Sequence, residues 1–204
     1  MKGTDGNYYF ISMFADGFKG RLAKAEILRT SPADGWLYRG KRLVVTERDL
    51  ERIVANWKAY PRDIPLDYEH GSGLDGPVGS AIAAGWLRDL ELERHADGSG
   101  AVLWGTFELT QRAAEWVAGG EYRLTSSEFV LDYIHPAVGK PIGMYLCAVG
   151  LTNRPFIDGL QPMTMMSEAA ALFIEHHRTT EQTNTERVHS KYLTKETTTP
   201  EGRS

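Results

Sequence analysis

The chain has 204 residues, of which 42% are hydrophobic and 25% are charged, and its formal net charge is -4. These values are typical of one globular domain with a sizeable core plus a tail, and they argue against two full domains. Lys and Arg form no basic block and no apolar run approaches the roughly 20 residues of a transmembrane helix, so neither nucleic acid nor a membrane is expected as a partner.

The first part of the chain predicts β structure followed by one helix. Residues 8–14 and 22–28 are rich in aromatic and aliphatic side chains between turn-forming residues, as is typical of short strands. Thr46 begins the predicted helix, because Asp49 three residues later can complete a capping box and apolar residues follow at one-face spacing. Pro61 ends it.

The middle of the chain predicts more strands around a second helix. Residues 64–70 form a predicted strand that runs into a glycine-rich loop over residues 71–79. Residues 81–93 and 101–109 flank Asp97-Gly98, a dipeptide that favours a hairpin. A short helix is expected from Thr110 to Gly119-Gly120, followed by strands within residues 122–134 and 142–151.

This order of elements predicts an α+β fold. Strands that pair mainly through hairpins, with two inserted helices, favour a small, mainly antiparallel β-barrel or sheet with a few packed helices. After Pro162 the composition changes, and a short helix from Ser167 precedes a polar stretch that is typical of disorder. The expected organisation is therefore one domain over residues 1–162 and a helical, then disordered, tail over residues 163–204.

The densest cluster of ionisable residues is Asp67, Glu69 and His70, just before the glycine-rich loop. An imidazole beside carboxylates can be a general base with an orienting acid, part of a metal site, or a surface salt-bridge patch. The sequence has no His-x-x-x-His or paired-cysteine spacing to complete a zinc site. Neither a metal nor any other cofactor is expected.

Ser126 and Ser127 interrupt a strand-like run and are the candidate nucleophiles. A serine nucleophile needs a neighbouring base, and His70 could fill that role. The chain lacks the Gly-x-Ser-x-Gly motif of the α/β-hydrolases. From the residues alone, paired hydroxyls in a strand are equally compatible with edge or turn positions.

A set of segments spread over about 90 residues, in order and at characteristic spacing, resembles the Mu-like phage I protein family of prohead proteases with a scaffold portion. The matching segments are residues 66–70, 83–87, 104–110, 113–114, 121–126, Phe129 and 151–155. The resemblance implies a fold similar to that of the herpesvirus assemblin, a β-barrel surrounded by helices, and a catalytic histidine upstream of a serine.

The resemblance places the catalytic residues at His70 and Ser126, because the family serine lies three residues before a phenylalanine and Phe129 is at that distance. Ser127 is the alternative nucleophile. The family usually has proline and then an apolar residue after the serine, whereas this chain has Ser127 and Glu128. An alternative interpretation is therefore that the chain is a divergent or inactive member. Asp67 ranks first as the third catalytic residue, with Glu69 and Asp132 as alternatives.

The function that the resemblance implies is a capsid-maturation serine protease. Its substrates and partners would be the phage scaffold, the major capsid protein and its own tail, with self-association possible. It would act in the host cytoplasm, inside the assembling prohead. The alternative is a non-catalytic capsid assembly protein that uses the same fold to bind scaffold or coat surfaces.

Overall fold

The computed structural model describes residues 21–71 and 82–167. The predicted strand over residues 8–14, nearly all of the glycine-rich loop and most of the predicted tail, including its helix, lie outside the described residues. The described part forms a seven-stranded sheet, two small hairpins and two helices. The predicted α+β class is therefore confirmed, while the division into domain and tail at residue 162 stays a prediction.

The elements follow one another as β1 (Leu22–Arg29), β2 (Trp36–Tyr38), β3 (Lys41–Leu43), α1 (Glu47–Ala59), β4 (Pro65–Tyr68), β5 (Ala83–Arg94), β6 (Ala101–Leu109), α2 (Gln111–Gly119), β7 (Leu124–Val130), β8 (Ile134–His135), β9 (Lys140–Pro141), β10 (Tyr145–Thr152) and β11 (Thr164–Met165). The large sheet has the order β11-β1-β6-β5-β4-β10-β7. Its pairs are antiparallel except β4 with β10, which is parallel. The mainly antiparallel character is as predicted, whereas the hairpins β2–β3 and β8–β9 were not predicted.

The sheet curls until its edge strand β7 approaches β1. Across this seam Thr125 Oγ1 donates a hydrogen bond to the Glu26 carbonyl oxygen at 2.7 Å, and Ser127 Oγ donates to the Ile27 carbonyl oxygen at 2.7 Å. No backbone ladder joins the two strands among the described residues. The result is a curled half-barrel whose seam is bridged by side chains, where the sequence predicted a barrel.

Helix α1 begins and ends as predicted. Thr46 Oγ1 accepts a hydrogen bond from the Asp49 backbone N–H at 3.3 Å, and the Asp49 carboxylate accepts from the Thr46 N–H at 2.8 Å, which completes the capping box. The buried Asn56 side chain donates to the carbonyl oxygens of Ile142 and Met144 at 3.0 and 2.9 Å. These bonds fix the segment that leads into β10.

Helix α2 and the β5–β6 hairpin also match their predictions. Thr110 caps α2, and Gly120 ends it in the left-handed conformation with φ 82°. The β5–β6 hairpin turns around Asp97 and Gly98. Neither of the helices in the described part of the chain is long and apolar enough to cross a membrane.

The predicted strand over residues 64–70 is wrong at its end. Strand β4 stops at Tyr68, and Glu69 and His70 have positive φ values of 52° and 59°. Left-handed backbone is uncommon for residues other than glycine and is concentrated at sites where the surrounding structure imposes it. The chain turns sharply here, with the Gly71 N–H donating to the Tyr68 carbonyl oxygen at 2.9 Å, and this turn determines where the His70 side chain lies.

Candidate active site

The imidazole of His70 lies against Gly150 in the middle of strand β10. A Cβ built on Gly150 would lie 2.9 Å from both Nδ1 and Cε1 of the ring and 3.1 Å from Cγ. The ring therefore fills the space that a side chain at position 150 would take. The left-handed turn at Glu69 and His70 is what brings the ring over the sheet.

Two of the predicted site residues flank Gly150 on the neighbouring strands. In the parallel ladder Gly150 pairs with Asp67 of β4, and in the antiparallel ladder it pairs with Ser126 of β7. Directly opposed residues project from the same face of a sheet. Asp67, Gly150 and Ser126 thus form one row across three strands, on the face against which His70 lies.

The two candidate serines project from opposite faces of β7, because side chains alternate along a strand. Ser127 and Thr125 project toward the seam and donate to carbonyl oxygens of β1. Ser126 projects to the His70 face, is 9% exposed, and makes no side-chain hydrogen bond with any other described residue. Its hydroxyl is therefore available for a base, whereas that of Ser127 is already committed.

A carboxylate that the sequence analysis did not assign contacts His70. Glu128 Oε1 lies 2.9 Å from His70 Nδ1, and both side chains are about one-third exposed. At this distance Nδ1 still makes no hydrogen bond within the described residues. Hydrogen bonds of catalytic groups are often long or poorly aligned in unliganded sites, and the 2.9 Å separation is within hydrogen-bonding reach.

The other acidic candidates occupy different surroundings. Glu69 accepts a hydrogen bond from Thr152 Oγ1 at 2.7 Å, which ties the turn to the end of β10. Asp132 lies exposed in the turn after β7. Asp67 is buried, with 1% exposure, in the row described above. Which of these acts as a third catalytic residue stays a prediction.

An aromatic cluster lies beside Glu69. Tyr68, Trp116 and Tyr122 contact one another with ring centroids 5.3 to 5.7 Å apart. Burial, and next the negative charge of Glu69, raise the pKa of Tyr122. Tyr122 therefore remains a neutral hydroxyl that can donate a hydrogen bond to Glu69. Together with Thr152, it gives the Glu69 carboxylate partners other than His70.

Ser126 also lines a small apolar cleft at the seam between β1 and β7. Residues of both strands and of the segment after β10 form its surface: Ile27, Leu28, Ser127, Phe129, Phe156, Ile157 and Leu160. Phe156 is 40% exposed and packs edge-on against Tyr38 of the β2–β3 hairpin, with ring centroids 4.9 Å apart. The candidate nucleophile therefore borders an apolar surface that is open to solvent.

A partly buried ion pair, between buried Glu26 and partly exposed Arg29, holds one side of this cleft in place. Glu26 is 1% exposed, and its carboxylate contacts Arg29 Nε at 2.5 Å and accepts from the Gln161 N–H at 2.9 Å. Arg29 also donates to the Gly159 carbonyl oxygen at 2.8 Å. Because a buried charge is stable only when paired, this pair anchors the segment over residues 156–161 to β1.

Cys147 occupies the bulge that interrupts the β7–β10 register opposite Glu128. Burial raises the pKa of its thiol, Arg62 opposes that effect, and Glu128 adds to it. The thiol is therefore kept protonated and is unsuited to act as a nucleophile. Bulges commonly re-aim side chains beside active sites, and this one changes the alignment of β7 next to Glu128.

The sequence could have indicated both of the unassigned site residues. Glu128 follows Ser126 by two residues on a strand, which is the spacing of same-face neighbours. Gly150 within an apolar strand marks a place where another group approaches closely. As for metals, no group of three His, Cys, Asp or Glu side chains in the described ranges is arranged to bind an ion.

Comparison with known proteins gives two matches. The family model of the Mu-like prophage I protein, N-terminal domain, matches residues 25–164. The Mu-like prophage FluMu I protein of Haemophilus influenzae is 26% identical over 123 residues, which is 57% of this chain. The aligned region spans only 32% of that relative's length. No solved structure matches significantly.

Proposed function

The chain belongs to the Mu-like prophage I protein family, and from that premise we propose that it is a serine endopeptidase of phage capsid maturation. The observation that carries the proposal is the position of His70 against Gly150, the residue of β10 that is paired with Ser126. A base and a hydroxyl from different parts of the chain thus lie at neighbouring strand positions on one face of the sheet, which supports the proposal.

The proposed chemistry is acyl transfer. Ser126 Oγ attacks the scissile carbonyl carbon while its proton passes to the Nε2 atom of His70. The tetrahedral intermediate then collapses, the C–N bond breaks, and the leaving amine takes the proton from the imidazolium. A water molecule, deprotonated by His70, hydrolyses the resulting ester and restores the Ser126 hydroxyl.

The apolar cleft beside Ser126 would bind the substrate on one side of the scissile bond. Its open surface, with Phe156 partly exposed, suits an apolar side chain of an extended peptide. The curled half-barrel with two helices is compatible with a fold similar to that of the herpesvirus assemblin, and that relationship is part of the proposal.

The biological setting follows from the family and is likewise proposed. Substrates and partners would be the phage scaffold, the major capsid protein and the enzyme's own tail, encountered in the host cytoplasm within the assembling prohead. The chain spans about a third of the curated relative that it matches, so the activity of a whole protein of that kind is also part of the proposal.

A non-catalytic assembly protein is the second candidate. The observation in its favour is that Ser126 is only 9% exposed, which limits the access of a substrate to its hydroxyl. In that case the seam cleft would bind scaffold or coat surfaces without cleavage, and the row of Asp67, Gly150 and Ser126 would be structural.

Intact mass spectrometry over time on the full chain, mixed with its scaffold and coat proteins, distinguishes the two candidates. The proposal expects cleavage by wild type and by Ser127→Ala, and a loss of at least about 10,000-fold in Ser126→Ala and His70→Ala. Cleavage that persists in Ser126→Ala would rule out this nucleophile. Folded wild-type protein that binds these partners without cleaving them would favour the assembly protein.

A further inference from the structure

Glu128 contacts the imidazole of His70 at one of its two ring nitrogens. Its Oε1 atom lies 2.9 Å from Nδ1, the ring nitrogen that a serine hydrolase does not use to accept the nucleophile's proton. Both partners are about one-third exposed, so the pair is shielded from solvent only in part. The contact therefore involves the correct nitrogen for an orienting acid.

The strand spacing supports the same assignment. Ser126 and Glu128 project from one face of β7 and are separated by two residues, a rise of about 6.6 Å. Two hydrogen bonds of about 2.8 Å on opposite sides of an imidazole ring span about 7 to 8 Å. One ring can thus bridge Ser126 and Glu128, with its Nε2 toward the serine and its Nδ1 toward the glutamate.

The position of Gly150 makes this bridge possible. Gly150 is paired with Ser126, and Glu128 is paired with Ala148 on the same strand. A Cβ at position 150 would lie 2.9 Å from Nδ1 and Cε1, so the ring would have to leave the position in which it contacts Glu128. Gly150 therefore leaves the space that the His70 ring needs if it is to lie between Ser126 and Glu128.

We propose that Glu128 is the positioning residue of this site, which fixes His70 in the tautomer that carries its proton on Nδ1 and leaves Nε2 free to accept the proton of Ser126. The proposal rests on the proposed protease function for its catalytic consequence. Its structural part, the Glu128–His70 pairing, stands independently of activity.

The tautomer can be measured directly by NMR on the full chain labelled with 15N at histidine. The His70 signals are identified by their absence in His70→Ala. The two ring nitrogens of a neutral imidazole differ strongly in chemical shift according to which one carries the proton. We expect the Nδ1–H form to dominate in wild type and in Ser126→Ala, and a mixture of tautomers in Glu128→Gln.

The catalytic part is tested with the same variants on a scaffold or coat substrate. Glu128→Gln should lower kcat about 100- to 10,000-fold with little change in KM, because the change acts on the base and not on substrate binding. Glu128→Asp should restore part of the rate. Glu115→Gln, on the exposed surface of α2, is the matched control and should behave as wild type.

Each outcome has a distinct meaning. A His70 tautomer that is unchanged in Glu128→Gln but altered in Asp67→Asn would overturn the proposal and assign the role to Asp67. A tautomer that depends on Glu128 in a protein that cleaves nothing would uphold the pairing while the protease function fails. Full activity in Glu128→Gln, with Ser126→Ala inactive, would overturn the positioning role while the protease function stands.

Discussion

His70 and Gly150 are in direct contact, with the imidazole ring on the Cα of the glycine and no room between them for a Cβ atom. The ring comes from a turn after β4, the glycine from the middle of β10, and the pairing of these two strands brings them together. The contact predicts how a single methyl group would affect the site.

Gly150→Ala should abolish cleavage while the protein remains folded. The added Cβ would lie 2.9 Å from Nδ1 and Cε1, which forces the ring to leave its position against β10. Alanine suits a strand interior better than glycine by roughly 0.5 to 1 kcal/mol, which offsets part of the cost of moving the ring. Thermal unfolding and cleavage rate, measured together, test the prediction, and an active Gly150→Ala protein would contradict the placement of His70 in catalysis.

Substitution of Ser127 should affect mainly stability, whereas substitution of Ser126 should affect mainly cleavage. Ser127→Ala removes the hydrogen bond to the Ile27 carbonyl oxygen across the seam and should lower the free energy of unfolding by about 1 to 2 kcal/mol with cleavage retained. Ser126→Ala should leave that free energy nearly unchanged and abolish cleavage. Urea unfolding and cleavage assays on both variants provide the measurement, and the reverse pattern would move the nucleophile to Ser127.

Phe156→Ala should weaken substrate binding more than turnover. The ring contributes an exposed apolar surface beside Ser126, so its loss should raise KM about 10-fold with kcat little changed. Leu131→Ala is the matched control, because Leu131 is 56% exposed but does not line the cleft. Equal KM values for the two variants would show that the substrate binds elsewhere.

The stability of the protein should fall at alkaline pH because of Tyr145. This residue is 2% exposed, and burial raises the pKa of its hydroxyl, with Arg62 opposing the effect. A group whose pKa is raised in the folded state stabilises that state below its ordinary pKa of 10.0, and the contribution is lost as the pH rises above that value. Urea unfolding midpoints at about pH 8 and about pH 11 should differ less in Tyr145→Phe than in wild type. Equal differences would contradict the assignment.

Local signals in the sequence determined the helices and most strand positions. Thr46 with Asp49, and Thr110 with Gly120, set the bounds of α1 and α2 through bonds to backbone groups within one helical turn. The Asp97-Gly98 turn set the β5–β6 hairpin in the same way. The resemblance to the I protein family likewise depended on ordered segments, and it identified the family correctly.

Only the tertiary structure decided how the site is assembled. The sequence did not indicate the left-handed turn at Glu69 and His70, because a backbone conformation that is unfavourable in isolation persists only when the surrounding fold imposes it. Nor did it indicate that Gly150 pairs with both Asp67 and Ser126, because the register between strands distant in sequence depends on the packing of the whole sheet. For the same reason the residues alone did not choose between Ser126 and Ser127, a choice that only the family resemblance made, and they left Glu128 unassigned. The alternation of side chains along β7 turns Ser127 toward the Ile27 carbonyl oxygen and Ser126 toward the face on which His70 lies.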